Sequence, residues 1–338
     1  MPPSFDLRNV GGRSYVGPVR NQHLPVGSRC ASCWAVTSAS VMSARLNMMI
    51  ENAGIALPEG RIEVSAQVLL NCLPGQDPMP HCGYPGSSRA AMDYVSKHGI
   101  PDESCAPYEN TRHECDAVHI CAEVKTNPKL HNHEWPHNQT IPYEAVRNPR
   151  LYYVESNDAI PPNDTQAIMS SLQSGPVPCG VHAEGLTNYS SGIIAGLDHK
   201  MKKPLQDDHS VALVGWGSEN GVDYWVLQNV WGTRWGEGGF CRIQRGIDLL
   251  GIESSCHHPV MRMPSWLDMV ATTTGPPSHL KTDDLTGPPL GAAPEPYPPL
   301  HGGNFTGRYE CSLQSFVKLP ARHKLTVPRR WQARAAFP

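Results

Sequence analysis

Gln22-His23-Leu24-Pro25-Val26-Gly27-Ser28-Arg29-Cys30-Ala31-Ser32-Cys33-Trp34-Ala35 marks the change of pattern around which the first 256 residues are organised. Before Cys33 the chain is loop-like, with Pro25, Gly27 and Ser28. Beyond it Ala39, Met42, Leu46, Met49 and Ile50 recur at helical spacing, and Gly54 stands where a helix would stop. The spacing therefore predicts that Cys33 lies in the first turn of a helix. Unpaired backbone N–H groups and the positive end of the helix dipole favour a thiolate there. A thiolate is the nucleophilic form of cysteine, and it needs an imidazole to take up its proton and return it to a leaving group.

Outward from this stretch, residues 1 to about 125 read as a helical half. Ser65 can cap a helix carrying Val68, Leu69 and Leu70. Ser87 or Ser88 can cap another, with Ala91, Met92 and Val95 inside and Gly99 at its end. Asn163 is expected to cap a short helix to Gln173, broken by Gly175-Pro176. From Val177 the period shortens. Val177 to Val181, Val211 to Trp216, Tyr224 to Leu227 and Phe240 to Ile243 read as strands at barrel-like spacing. The implied class is α+β, a helical lobe (about 1–125) against an antiparallel β lobe (about 126–256). Residues 257–338 read as a Pro/Gly/Thr-rich linker or disordered tail, where many of the 33 prolines gather.

With 39% hydrophobic residues among 338, the chain can bury a substantial core, and a net charge of -3 names no partner. No Lys/Arg stripe with interleaved aromatics points to nucleic acid. No run approaches the ~18 apolar residues of a membrane span. Eleven cysteines suit an oxidising compartment better than the cytosol, and an odd count leaves at least one thiol unpaired. Asn138, Asn163, Asn188 and Asn304 each open an N-x-Ser/Thr sequon, in keeping with a glycoprotein on the secretory route. The N-terminus runs against that route: Met1 to Arg8 has no signal-peptide plan. It reads as the start of a processed chain with Met added, as in a fragment or an incomplete gene model.

Three further stretches bear on the chemistry. His209 precedes Ser-Val-Ala-Leu-Val-Gly-Trp-Gly at the head of a predicted strand. Asn229 lies in Gln228-Asn229-Val230-Trp231-Gly232, and Trp235 follows in Thr233-Arg234-Trp235-Gly236. Together with Cys30-Ala31-Ser32-Cys33-Trp34, these resemble the papain family of cysteine proteases over Pro2 to about Cys256. The fit is closest to the carboxypeptidase-like cathepsin X/Z branch, whose Asn-Gln-His-Ile-Pro reads here Asn21-Gln22-His23-Leu24-Pro25. The resemblance implies the papain-like two-lobe fold with the site in the cleft between the lobes. It implies Cys33 as nucleophile, His209 as acid–base partner, Asn229 orienting the imidazole and Gln22 donating to the oxyanion. His23 would meet the substrate's terminal carboxylate, Gly86 would pair with the extended substrate, and Trp235 would wall the leaving-group side. It also proposes the disulfides Cys30–Cys82, Cys72–Cys105, Cys115–Cys121 and Cys179–Cys256, leaving Cys33, Cys241 and Cys311 as thiols. The substrate would be a peptide or protein. No cofactor, metal, nucleic acid or membrane partner is expected, and the protein would be a lysosomal or extracellular monomer. Departures from the family pattern are Ala31 for Gly, Val230 for Ser, Asp207 and Asp208 before His209, Cys82-Gly83-Tyr84-Pro85-Gly86 for Cys-x-Gly-Gly, and a longer loop before Cys33.

Other classes fit less well. Cys30-x-x-Cys33 could be a redox pair, yet a Pro/Gly loop precedes it instead of a strand. No second Cys-x-x-Cys supports a zinc site, and His257-His258 stands alone. Within the family, the alternatives are an ordinary endopeptidase or an inactive binding module, though the residues of the triad are all present. In the tail, Pro328-x-x-Trp331-x-x-Arg334 echoes Pro2-x-x-Phe5-x-x-Arg8, as a truncated second domain would, and the resemblance, whose propeptide carries a Cys that can bond the active-site thiol, implies that Cys311 could cap Cys33 reversibly.

Overall fold

A computed structural model describes residues 1–25, 30–57, 60–73, 86–124, 143–196 and 207–267. The helical lobe contains α1 (Cys33–Asn52), α2 (Ala66–Cys72), α3 (Ser88–His98) and α4 (Ala117–Ile120). The other lobe carries α5 (Thr165–Leu172) and a six-stranded sheet of β1 (Phe5–Asp6), β5 (Val177–Val181), β6 (Ile193–Ile194), β7 (His209–Glu219), β8 (Val222–Gln228) and β9 (Phe240–Gln244). Two short pairs complete the architecture: β2 (Ala122–Val124) with β3 (Tyr143–Ala145), and β4 (Val154–Ala159) with β10 (His257–Met261). This is the α+β arrangement, a helical lobe against a β lobe, that the sequence predicts. Among the described residues no helix is long and apolar enough to cross a membrane.

Helix α1 is buried on nearly every face, its polar residues Thr37, Ser38, Ser40, Ser43, Arg45 and Asn47 included. Its interior polar groups are satisfied locally. Ser38 Oγ donates to the Trp34 carbonyl, and Asn47 exchanges two hydrogen bonds with the backbone of Ile62. Arg45 lies 3% exposed and has no carboxylate partner among the described residues. Its guanidinium instead donates to the carbonyls of Ser171, Gly175, Pro176 and Pro259 and to Ser171 Oγ. That one side chain ties the central helix to α5 and β10. Ser65 and Ser87 cap α2 and α3 as expected, accepting from Val68 and Ala90. The cap of α5 is Asp164 and not Asn163: Asn163 has φ +63° and forms the preceding turn, while Asp164 Oδ1 accepts the Ala167 N–H.

The sheet runs β1-β7-β8-β9-β6, with β5 paired to the first half of β7. β1 crosses β7 at Gly215, where a Cβ would stand 2.4 Å from the Phe5 carbonyl oxygen. Only glycine admits that approach. The fold continues past the expected boundary at residue 256, because β10 pairs with β4 and the chain is described to Leu267.

Two expected disulfides are corrected. Cys72 bonds Cys115 and Cys105 bonds Cys121, in place of Cys72–Cys105 and Cys115–Cys121; Cys179–Cys256 forms as expected. The local backbone explains the exchange. Asn71, beside Cys72, accepts the His113 N–H and donates to the His119 carbonyl, which carries residue 115 to the end of α2. The Cys105 carbonyl accepts the Ala122 N–H, which brings Cys121 alongside Cys105. Cys30 is also disulfide-bonded, while its expected partner Cys82 lies outside the described residues, as does Cys311. Cys241 is free and buried in the β-lobe core, and burial pushes its thiol well above the usual range.

Candidate active site

Cys33 is the first residue of α1 and is 2% exposed. Ser32 occupies the N-cap position without capping: its hydroxyl turns to Tyr108 at 2.5 Å, leaving the first-turn N–H groups uncapped by that side chain. Cys33, expected as a free thiol, is instead disulfide-bonded, so its nucleophilic form requires reduction. One turn along, Thr37 Oγ1 donates to the carbonyl of Ser210, the residue after His209. Residues i and i+4 share a helix face, so this bond brings the start of α1 to the start of β7.

His209 opens β7, 4% exposed, and its Nε2 lies 2.8 Å from Asn229 Oδ1. The same Asn229 atom receives the Val230 N–H at 2.8 Å, which identifies it as the oxygen. An oxygen can only accept, so His209 Nε2 carries a proton and Nδ1 keeps its lone pair. Trp231 stacks on the imidazole at 4.8 Å, and Trp235 meets Trp231 edge-on at 5.3 Å. Burial lowers the His209 imidazolium to about 4, against the Asn229 hydrogen bond that raises it, and a charge on His23 lowers it further. With the Cys33 sulfur in a disulfide, no thiolate offsets that burial. Asp208 turns elsewhere, its Oδ1 accepting the Ala183 N–H at 2.7 Å. Asp207 bonds the Ser255 hydroxyl and is raised to about 6, chiefly by burial.

Residues 21–25 run along the segment that carries Asn229. Gln22 N–H donates to the Val230 carbonyl at 2.8 Å, and Asn21 bridges Trp231. Gln22 is 3% exposed, and its Oε1 has no partner among the described residues. His23 is half-buried beside it, its N–H donating to Asn21 Oδ1 at 3.0 Å. Gly86 lies flat on the Trp34 ring, where a Cβ would stand 2.5 Å away, so it adjoins the residue after Cys33. Residues 26–29, which hold the longer loop, lie outside the described residues.

Val230, where the family pattern has Ser, is 3% exposed and packs into the core. Its backbone N–H orients Asn229, a role that needs no hydroxyl. Asn229 Nδ2 is buried and without a partner among the described residues. Sequence reasoning passed over Tyr108, which reaches Ser32 and Gln22 from a loop. Nothing in Ala106-Pro107-Tyr108-Glu109-Asn110 marks it, since both contacts are to residues more than 70 positions away.

Comparison with known proteins bears on this geometry. The family described as "Papain family cysteine protease" matches residues 1–260. Cathepsin Z of Onchocerca volvulus is 30% identical over 249 residues, covering 72% of this chain and 70% of that protein. The KDEL-tailed cysteine endopeptidase CEP2 of Arabidopsis thaliana is 27% identical over 267 residues, covering 77% and 60%. Among solved structures, the Carica candamarcensis cysteine protease CMS1MS2 in complex with E-64 superposes with a TM-score of 0.53 at 28% identity, over 77% of this chain and 99% of that one.

Proposed function

Because this chain belongs to the papain family of cysteine proteases, we propose that it hydrolyses peptide bonds with Cys33, His209, Asn229 and Gln22, and does so as a carboxypeptidase. After reduction, the Cys33 thiolate attacks the scissile carbonyl carbon. Negative charge moves to the carbonyl oxygen, where the Gln22 side-chain amide and the Cys33 backbone N–H receive it. The imidazolium of His209 gives its Nδ1 proton to the leaving amine as the C–N bond breaks. Water, deprotonated by the same nitrogen, then attacks the thioester and releases Cys33. Asn229 holds the imidazole by Nε2 throughout, and Trp231 and Trp235 exclude water from that bond. Gly86 offers backbone to the acyl side of the substrate.

The finer reading, removal of C-terminal residues, rests on one observation. His23 follows Asn21 and Gln22, which pair with Trp231 and Val230, its own N–H is held by Asn21 Oδ1, and its charge lowers His209. An imidazole there can receive a terminal carboxylate. Burial lowers the His23 imidazolium, and a bound carboxylate would raise it again, so binding of a free C-terminus strengthens as the pH falls. The test compares a peptide bearing a free C-terminal carboxylate with its amide. A strong preference for the free acid, lost in His23→Ala, is expected; equal kcat/KM would assign an endopeptidase instead. The disulfides support an oxidising compartment, lysosomal or extracellular, as the place of action.

A further inference from the structure

The Tyr108 hydroxyl stands where three segments remote in sequence meet. It donates to the Gln22 carbonyl at 2.7 Å and lies 2.5 Å from Ser32 Oγ, with Asn110 Oδ1 a longer contact at 3.3 Å. A phenol carries one proton, and a carbonyl can only accept. The Tyr108 proton therefore points to Gln22, and the Ser32 hydroxyl donates into the phenol oxygen. The resulting chain, Ser32 to Tyr108 to Gln22, spans the gap between the residue before Cys33 and the residue before His23. Two positions on, Asn110 Nδ2 donates to the Pro25 carbonyl at 3.1 Å, so the loop 108–110 holds the 22–25 turn at both ends. Tyr108 is fixed in turn: its N–H donates to Glu103, which pairs with Arg20 at 2.9 Å. Burial pushes its phenol up to about 12, so the proton remains in place at working pH.

We propose that Tyr108 is a positioning residue of this site: its hydroxyl sets the distance between Gln22 and the start of the Cys33 helix, and it acts on the reaction through Gln22. This rests on the reading of Cys33 and Gln22 given above. The carbonyl and side-chain amide of Gln22 belong to one residue, so a carbonyl released from Tyr108 lets the amide drift from the oxyanion while leaving the sulfur where it is.

The experiment uses the full chain, reduced, with a peptide substrate. Tyr108→Phe is expected to lower kcat about tenfold, a fraction of the loss that removal of an oxyanion donor causes, with KM nearly unchanged. Alkylation of Cys33 by iodoacetamide forms no oxyanion, so its rate should match the wild type. In a Gln22→Ala background, Tyr108→Phe should cost nothing more, because the two act as a unit. Wild-type kcat in Tyr108→Phe, a parallel fall in alkylation, or losses that multiply in the double variant would each overturn the proposal. Full activity in Cys33→Ala or Gln22→Ala would overturn it too, and would locate the error in the reading of the site itself. If Tyr108→Phe does not fold, Ser32→Ala removes the other end of the chain and is expected to lower kcat in the same selective way.

Discussion

Asn229 Oδ1 receives two donors at 2.8 Å, the Val230 N–H and His209 Nε2, and so fixes both the tautomer and the tilt of the imidazole. The orienting bond comes from backbone, which is why Val230 can replace the family's Ser and turn its side chain into the core.

The first prediction concerns that relationship. Asn229→Ala should lower kcat roughly 10²–10⁴-fold, the range a correctly positioned acid–base group contributes, with a small change in KM. Asn229→Asp keeps an acceptor for Nε2 and adds a charge, so it should retain more activity and raise the alkaline limb of the pH–rate profile. Steady-state kinetics across pH would check both. Equal losses in the two variants would show that the amide does not act by orienting the ring.

A second prediction follows from the oxidised sulfur of Cys33. Protein purified without reductant should be inactive and resist iodoacetamide at Cys33. Dithiothreitol should release activity together with one newly alkylated cysteine in α1, read by peptide mapping. Cys241 is buried with its thiol raised, so it should remain unlabelled in the folded protein. The same map under non-reducing conditions should join Cys72 to Cys115 and Cys105 to Cys121.

Acid should destabilise the fold through its buried histidines. Burial lowers His209 and His257 to about 4, whereas an imidazole in the unfolded chain titrates near ~6.5. Between those values the unfolded chain binds more protons, so this stabilisation is complete above ~6.5 and is lost as the pH falls towards 4. Asp207 works the other way. Raised to about 6, it favours the fold most at low pH, and that contribution is lost as the pH rises from ~3.9 to about 6. Thermal unfolding from pH 4 to 8 should show His257→Gln narrowing the acid loss and Asp207→Asn raising Tm mainly above pH 6.

Removal of Arg45 should be costly. Its guanidinium satisfies four carbonyls and one hydroxyl, and burial lowers it to about 9. Arg45→Ala would strand those buried acceptors and cost about 3–5 kcal/mol, measured by urea unfolding. Arg45→Lys should recover only part of that loss, since an ammonium cannot reach the same fan of acceptors.

Much of this protein was legible in local sequence. The start of α1 at Cys33, the Ser65 and Ser87 caps and the run of β strands each depend on groups within a few residues of one another, where periodicity and side-chain chemistry speak directly. Gln22, His209 and Asn229 could be singled out only through the resemblance of the short motifs around them to those of the papain family, not through periodicity. Asn163 misled because two adjacent cap-forming residues compete, and the backbone gave the turn to Asn163 and the cap to Asp164.

Tertiary structure alone decided the rest. The pairing of Cys72, Cys105, Cys115 and Cys121 depends on which backbones lie alongside, and spacing cannot express that. The Tyr108 contacts with Ser32 and Gln22, the fan of Arg45 bonds and the depressed imidazoles all arise from burial and from neighbours 70 or more residues away. A sequence states which groups can donate, accept or ionise. Which of them meet, and how much water is left around them, is fixed only when the two lobes close on each other.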